Sequence, residues 1–148
     1  MEIDIENLQT DLKLNLPAIK SLITFTLKHL GVKCDEISFR FVSEQEICQI
    51  HADHFDDPSP TDCITFPMDD EDSNTGYRHL GECIICPKAA IDYDDKKSAH
   101  HELSLYIVHT ILHLVGYKDL IESDIKVMRA QEKSCMEALE KNNLVLTD

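Results

Sequence analysis

No apolar run in this chain approaches the roughly 18 residues needed to span a bilayer. The acidic start, MEIDIENLQTD, lacks the basic segment of a secretory signal. No membrane partner is expected, and the expected compartment is the cytoplasm. Cations are scarce too. The 148 residues carry 14 Lys and Arg against 28 Asp and Glu, a formal charge of −14. A generic nucleic-acid binder would show a basic footprint. No DNA partner is therefore expected, and contact with RNA would have to be local, or assisted by a metal or another protein. Acidic runs at 69–72 and 92–95 read as solvated loops. Repeats, low-complexity tracts and interdomain linkers are also lacking. With 43% hydrophobic residues, the chain predicts a single domain over 1–148 whose core closes without disulfides. Cysteines at 34, 48, 63, 83, 86 and 135 then read as free thiols, several packed as small hydrophobes.

Periodicity predicts a mixed α+β domain. MEIDIEN alternates apolar and polar residues, as a first strand does. Leu16 to Leu30 has helical spacing, with Pro17 in its first turn and Gly31 beyond its end. EISFRFV puts Ile37, Phe39 and Phe41 on one face of a strand and Ser38, Arg40 and Val42 on the other. Ser43, with Glu46 three residues later, forms a capping box for a helix to about His54. DDPSPTD (56–62) is a loop, CITF a short buried strand ended by Pro67, and 68–78 another loop. HLGECIICP reads as a further strand, and 87–95 as a short helix. Ser98 caps a helix to Val115. Its apolar residues, from Leu103 to Val115, go almost all the way round, so it is central and buried. Ser123 caps a last helix to about Asn142. The expected architecture is a mixed sheet of about four strands packed with helices.

The chemistry concentrates in HTILHLVGYKD, residues 109–119. His109 and His113, four apart, project from one face of the buried helix, so one metal ion can meet both. Gly116 can take a positive φ and fold the chain back. Asp119 can then return a carboxylate toward the same point. Two imidazoles and a carboxylate are a normal zinc set that leaves a position for water. Two core histidines and a surface aspartate remain the alternative on these residues alone, but the pairing, the glycine and the carboxylate favour the metal. Thr110 follows the first histidine where an HExxH peptidase has its general base, so that chemistry is disfavoured. Cys83 and Cys86 form a C-x-x-C on a strand, where positions three apart face oppositely, and read as core. His100 and His101 read as near-surface residues. His51 and His54, about one turn apart, offer only a weak second metal site.

Here the residues carry a resemblance. HTILHLVGYKD resembles the H-x-x-x-H-x-x-G-x-x-H signature of the YbeY family of rRNA maturation factors. PTDCITFP (60–67) is similar to that family's PTDVLSFP segment, LGECII (80–85) to its LGDIVI strand, and MRAQE (128–132) to part of its C-terminal helix. The resemblance implies a zincin-like α+β fold with a metal site, usually zinc, one ion per chain. It implies a single-strand-specific endoribonuclease in maturation of the 16S rRNA 3′ end and in ribosome quality control. The implied partners are rRNA, the small ribosomal subunit and ribosome-associated proteins.

Two positions depart from the family pattern. Asp119 stands where the third histidine falls, which adds a negative charge and shifts preference toward harder ions such as manganese or magnesium. His54-Phe55 stands where the family has Tyr-Arg. Phe55 cannot hydrogen-bond a phosphate, but it can stack on a base. Arg40 and Arg78 are the nearest alternatives, and both read as solvated charges. Asp62 and Glu82, from the two matching segments, are candidates for the catalytic base or for support of the metal; a turn cap for Asp62 and a solvent-facing place for Glu82 are the plain alternatives. Phe55, Thr61 and Asp62 are the candidate substrate contacts. A ribosome-associated factor with weakened or lost nuclease activity is the rival reading.

Overall fold

Local signals set the element boundaries. The computed structural model describes residues 1–68, 76–93 and 97–147. Its elements run β1 (Glu2–Asn7), α1 (Leu16–His29), β2 (Glu36–Phe41), α2 (Glu44–Phe55), β3 (Cys63–Pro67), β4 (His79–Ile85), α3 (Pro87–Asp92), α4 (Ala99–Leu114) and α5 (Glu122–Lys141). The acidic run at 69–72, most of the expected loop over 68–78, and 94–95 at the end of the expected short helix lie outside the described residues. Two of the three expected serine caps are made: Ser43 Oγ accepts from the Glu46 N–H at 3.2 Å, and Ser98 Oγ from the His101 N–H at 3.1 Å. The last helix begins differently from expectation. Its N-cap is Ile121, with no side-chain cap bond, and Ser123 sits inside the first turn. Glu122 and Asp124 in that turn complement the helix dipole instead.

The four strands form one mixed sheet in the order β1-β2-β4-β3. β2 is parallel to both β1 and β4, while β3 returns antiparallel to β4. Asp62 O accepts from the Cys86 N–H at 2.9 Å, and the Met68 N–H donates to Leu80 O at 3.1 Å. With Ile64 opposite Ile84 and Phe66 opposite Glu82, the even-numbered residues of β3 bond to β4. The backbone groups of Cys63 and Thr65 therefore point outward from the sheet edge. Pro67, on the same outward side, costs no ladder bond, which is why the strand includes it.

The sheet splits the core in two. Ile37, Phe39, Phe41, Cys83 and Ile85 belong to the larger part, with the apolar faces of α1, α4 and α5. Val42, Ile64, Ile84 and Cys86 form the smaller part with Ile47 of α2. Val42, on the face opposite Phe41 as expected, is thus buried with Ile47 of α2. Cys83 and Cys86 fall in different parts, as projection to opposite faces requires. Burial pushes the Cys83 thiol up to about 12 and the Cys135 thiol to about 11, so neither is a ready nucleophile. His100 also corrects the expectation: it is buried, and its Nε2–H donates to the Lys13 carbonyl at 2.9 Å.

α4 is the hub. It packs against α1, α3, α5, β3 and β4. It comes close to the sheet at Gly81, whose φ is +148°. A Cβ there would lie 2.6 Å from Phe66 O and 2.7 Å from Leu114 Cδ2. Gly81→Ala is expected to cost about 1–3 kcal/mol. The measurement is a urea midpoint that falls with unchanged slope; an unmoved midpoint contradicts this packing.

Candidate metal centre and its cleft

From His100 to Leu114, the partly exposed positions are 101, 105, 109 and 113. They form one strip at four-residue spacing, so a helix buried everywhere else opens along a single line. His109 and His113 occupy its C-terminal end. The helix closes with paired bonds from the Gly116 N–H to His113 O (3.1 Å) and from the Tyr117 N–H to Leu112 O (3.0 Å). That is a Schellman turn, and Gly116 supplies the positive φ of 109° it needs. The turn carries the Tyr117 carbonyl back to within 3.1 Å of His113 Nδ1. It also returns Asp119, whose Oδ2 lies 3.3 Å from His113 Nε2 and 4.0 Å from His109 Nε2.

Both rings are fixed from behind. His113 Nδ1 faces a carbonyl, which can only accept, so this nitrogen carries the proton. His109 Nδ1 lies 2.6 Å from Glu132 Oε2. Glu132 comes from α5, is buried, and also accepts from Arg129 Nη1 at 2.6 and 2.9 Å. Burial alone would raise the Glu132 pKa, but the His109 and Arg129 hydrogen bonds outweigh it and hold the carboxyl below its ordinary value. With the protons on both Nδ1 atoms, the two Nε2 lone pairs converge at 3.0 Å. Two acceptors that close repel each other unless a proton or a cation sits between them.

The donor set fits a metal. Ligand atoms about 2.0–2.1 Å from a tetrahedral zinc lie roughly 3.3–3.4 Å from one another. The separations of 3.0, 3.3 and 4.0 Å bracket that spacing. Among the described residues, His109, His113 and Asp119 form one group whose ligand atoms lie within 4.8 Å of one another. The other such group, Glu2, Asp4 and Glu36, is purely acidic and lies on β1 and β2. His51 and His54 belong to neither.

The centre opens into a cleft of ≈ 370 Å³. Phe55, Thr61 and Asp62 line it together with His109, His113 and Asp119. Six of the seven residues singled out from the sequence therefore meet here. Glu82 does not. It is tied to Arg40 at 2.6 Å and lines a separate depression with Asp4, Glu6 and Ser38. Nor is Arg40 a simple solvated charge, since that pair is partly buried. Arg78 donates to the Lys33 carbonyl at 2.7 Å, away from the cleft. Among the described residues, no lysine or arginine lines the cleft. Phe55 is 53% exposed, and its ring stacks on Phe66 with centroids 6.3 Å apart. His51 joins the wall; its Nδ1–H donates to Ser59 O at 2.9 Å.

Glu132, Arg129 and the Tyr117 carbonyl were not assigned roles from the sequence, and His51 was considered only as part of a weak second metal site with His54. Glu132 did leave a signal. It shares the buried stripe of α5 with Met128, Cys135, Met136 and Leu139. An acid on an apolar stripe requires a buried partner.

Fold and site together define a single-domain α+β protein whose buried helix carries a His–His–carboxylate centre. Residues 4–140 match the family described as Endoribonuclease YbeY. The Endoribonuclease YbeY of Protochlamydia amoebophila is 40% identical over 97% of both chains. That of Chlamydia caviae is 32% identical over all of this chain and 97% of its own. The solution structure of TM1509 from Thermotoga maritima is 24% identical and superimposes with a TM-score of 0.59, covering 99% of this chain and 97% of that one. It establishes the likeness of fold. The chain belongs to the endoribonuclease YbeY family, a family of hydrolases.

A carboxyl whose folded pKa lies below its unfolded value stabilises the fold fully above the unfolded value. That contribution is lost as pH falls through the folded value. For Glu132 the window lies below the ordinary 4.5. Glu132→Gln is expected to flatten the loss of stability on acidification in that window. Urea midpoints measured against pH check this, and parallel profiles for the two proteins refute it.

Proposed function

We propose that the chain is a metal-dependent, single-strand-specific endoribonuclease that acts on rRNA. Its substrate would be the 3′ end of the small-subunit rRNA, with a further role in ribosome quality control. The partners would be the small subunit and its associated proteins, in the cytoplasm. One observation carries the reading: two Nε2 lone pairs and a carboxylate converge in an open cleft of a chain from an endoribonuclease family. His109, His113 and Asp119 would hold one zinc ion, or another divalent ion. Such an ion supplies Lewis acidity toward a phosphate oxygen and toward water.

The chain's own groups would do the rest. The Glu132 carboxylate and the Tyr117 carbonyl keep both imidazoles in the ligating tautomer. Asp62, in the cleft wall, would accept the proton of the attacking oxygen. Thr61 can donate a hydroxyl hydrogen bond to the strand, and Phe55 presents an exposed ring on which a base can stack. The Thr110 side chain is buried and donates to Ile107 O at 2.8 Å, so no peptidase base faces the cleft from that position.

A second reading has its own support. A cleft wall without lysine or arginine among the described residues suits a ribosome-associated factor whose nuclease function has decayed. Cleavage of single-stranded rRNA separates the two. The nuclease reading expects about one metal ion per tag-free chain by elemental analysis. Chelation and His113→Ala should abolish cleavage. Asp119→Ala should lower metal occupancy, and Glu132→Ala should weaken metal affinity about 10–100-fold. Metal-free protein that binds ribosomes without cutting would support the decayed factor instead.

A further inference from the structure

Breaking a phosphodiester involves two proton movements. The attacking oxygen loses a proton, and the bridging oxygen that leaves phosphorus takes one up. Asp62 serves the first in the reading above. The second needs a proton donor, and among the described residues the cleft lining holds neither lysine nor arginine. It does hold His51.

His51 is half-buried on α2, four residues before the Phe55 that ends the helix. The 56–62 loop orients its ring. Nδ1 meets the Ser59 carbonyl at 2.9 Å. A carbonyl can only accept, so Nδ1 carries a proton whether the imidazole is neutral or charged. The proton that His51 can give up is therefore the one on Nε2. Ser59 is held in turn: its N–H and its hydroxyl donate to Asp57 Oδ1 at 2.9 and 2.6 Å. The Phe55 ring packs beside the imidazole, with centroids 5.6 Å apart. Among the described residues Nε2 has no hydrogen-bond partner, and it is not shut away from solvent.

Its place argues against a ligand role. His51 lies outside the group of His109, His113 and Asp119, whose ligand atoms are within 4.8 Å of one another. It lines the same cleft, on the wall that a bound strand would touch. The ionisable groups around it are Asp57 and Asp62 of the loop, Cys63 of β3, His109 and His113 of α4, and Asp119 of the following turn. On α2 itself, Cys48 and His54 stand about one turn away.

We propose that His51 is the proton donor of this cleft and that its Nε2–H protonates the leaving bridging oxygen. The inference deepens the endoribonuclease reading above and rests on it. Asp62 takes the proton of the attacking oxygen as that oxygen bonds to phosphorus. The bond from phosphorus to the bridging oxygen breaks, and this oxygen departs as a hydroxyl with the proton from His51. Exchange with solvent then recharges His51 and discharges Asp62. The rival role is purely structural: His51 would only tie the 56–62 loop to α2.

A leaving sulfur separates the two, because a thiolate departs without needing a proton. His51→Asn and His51→Ala are compared with wild type as full chains loaded with zinc. The substrates are a single-stranded oligoribonucleotide and the same strand with sulfur at the leaving position, which the ends of the wild-type products identify. An asparagine amide can still donate to the Ser59 carbonyl but cannot release a proton. On the oxygen strand both variants are expected to lower kcat about 100-fold or more, with metal content unchanged. Both should also lose the fall in kcat that wild type shows as rising pH deprotonates His51. On the sulfur strand all three proteins should cleave at similar rates. Equal losses on both strands, or wild-type kcat in His51→Asn, overturn the proposal in favour of the structural role. Metal content that falls together with kcat overturns it too, because His51 would then act on the centre. If wild type cleaves neither strand, the endoribonuclease reading fails and this inference falls with it.

Discussion

Each imidazole of the centre is held by what stands behind it. The contacts from His109 Nδ1 to Glu132 and from His113 Nδ1 to the Tyr117 carbonyl decide which way the lone pairs point. Without them both rings could exchange tautomers, and one could donate to the other across 3.0 Å. With them the two acceptors must face each other, an arrangement that favours a cation between them. Much of the surrounding structure serves that constraint. The Schellman turn at Gly116 delivers the carbonyl. α5 packs along α4 and delivers the carboxylate, whose burial is offset by hydrogen bonds from His109 and Arg129. The even burial of α4 leaves one open strip, so the rings have a single direction in which to emerge.

The two walls of the cleft differ in kind. α4 and the turn after it supply the side chains that can bind an ion. The opposite wall comes from the end of α2, the 56–62 loop and the edge strand β3, and supplies an exposed aromatic ring, a hydroxyl and a carboxylate. The aspartate at 119 and the phenylalanine at 55 fall on different walls. One sets the charge beside the two imidazoles and the other the surface of the opposite wall, so their effects can be separated by substitution.

Most of the fold and the grouping of His109, His113 and Asp119 were legible in the sequence because the signals were local. Serine caps, helical periodicity, a glycine two residues after the last helical residue, and i, i+4 histidines all act within a few residues. What escaped was long-range. Glu132 lies 23 positions from His109, and only the packing of α5 on α4 joins them. His100 was misplaced because its partner is the Lys13 carbonyl, 87 positions away. Val42 lies on the expected face, but alternation could not show that α2 covers that face at this end. Ser123 failed as a cap because the helix had already begun behind Ile121.

β3 adds a property of another order. Its outward-facing peptide groups, at Cys63 and Thr65, are part of the chain itself and persist whatever side chains stand there. A wall built this way keeps its contour and its row of donors and acceptors while neighbouring residues drift. That gives this wall a measure of mutational latitude, because a change of side chain at Cys63 or Thr65 leaves the peptide groups where they are.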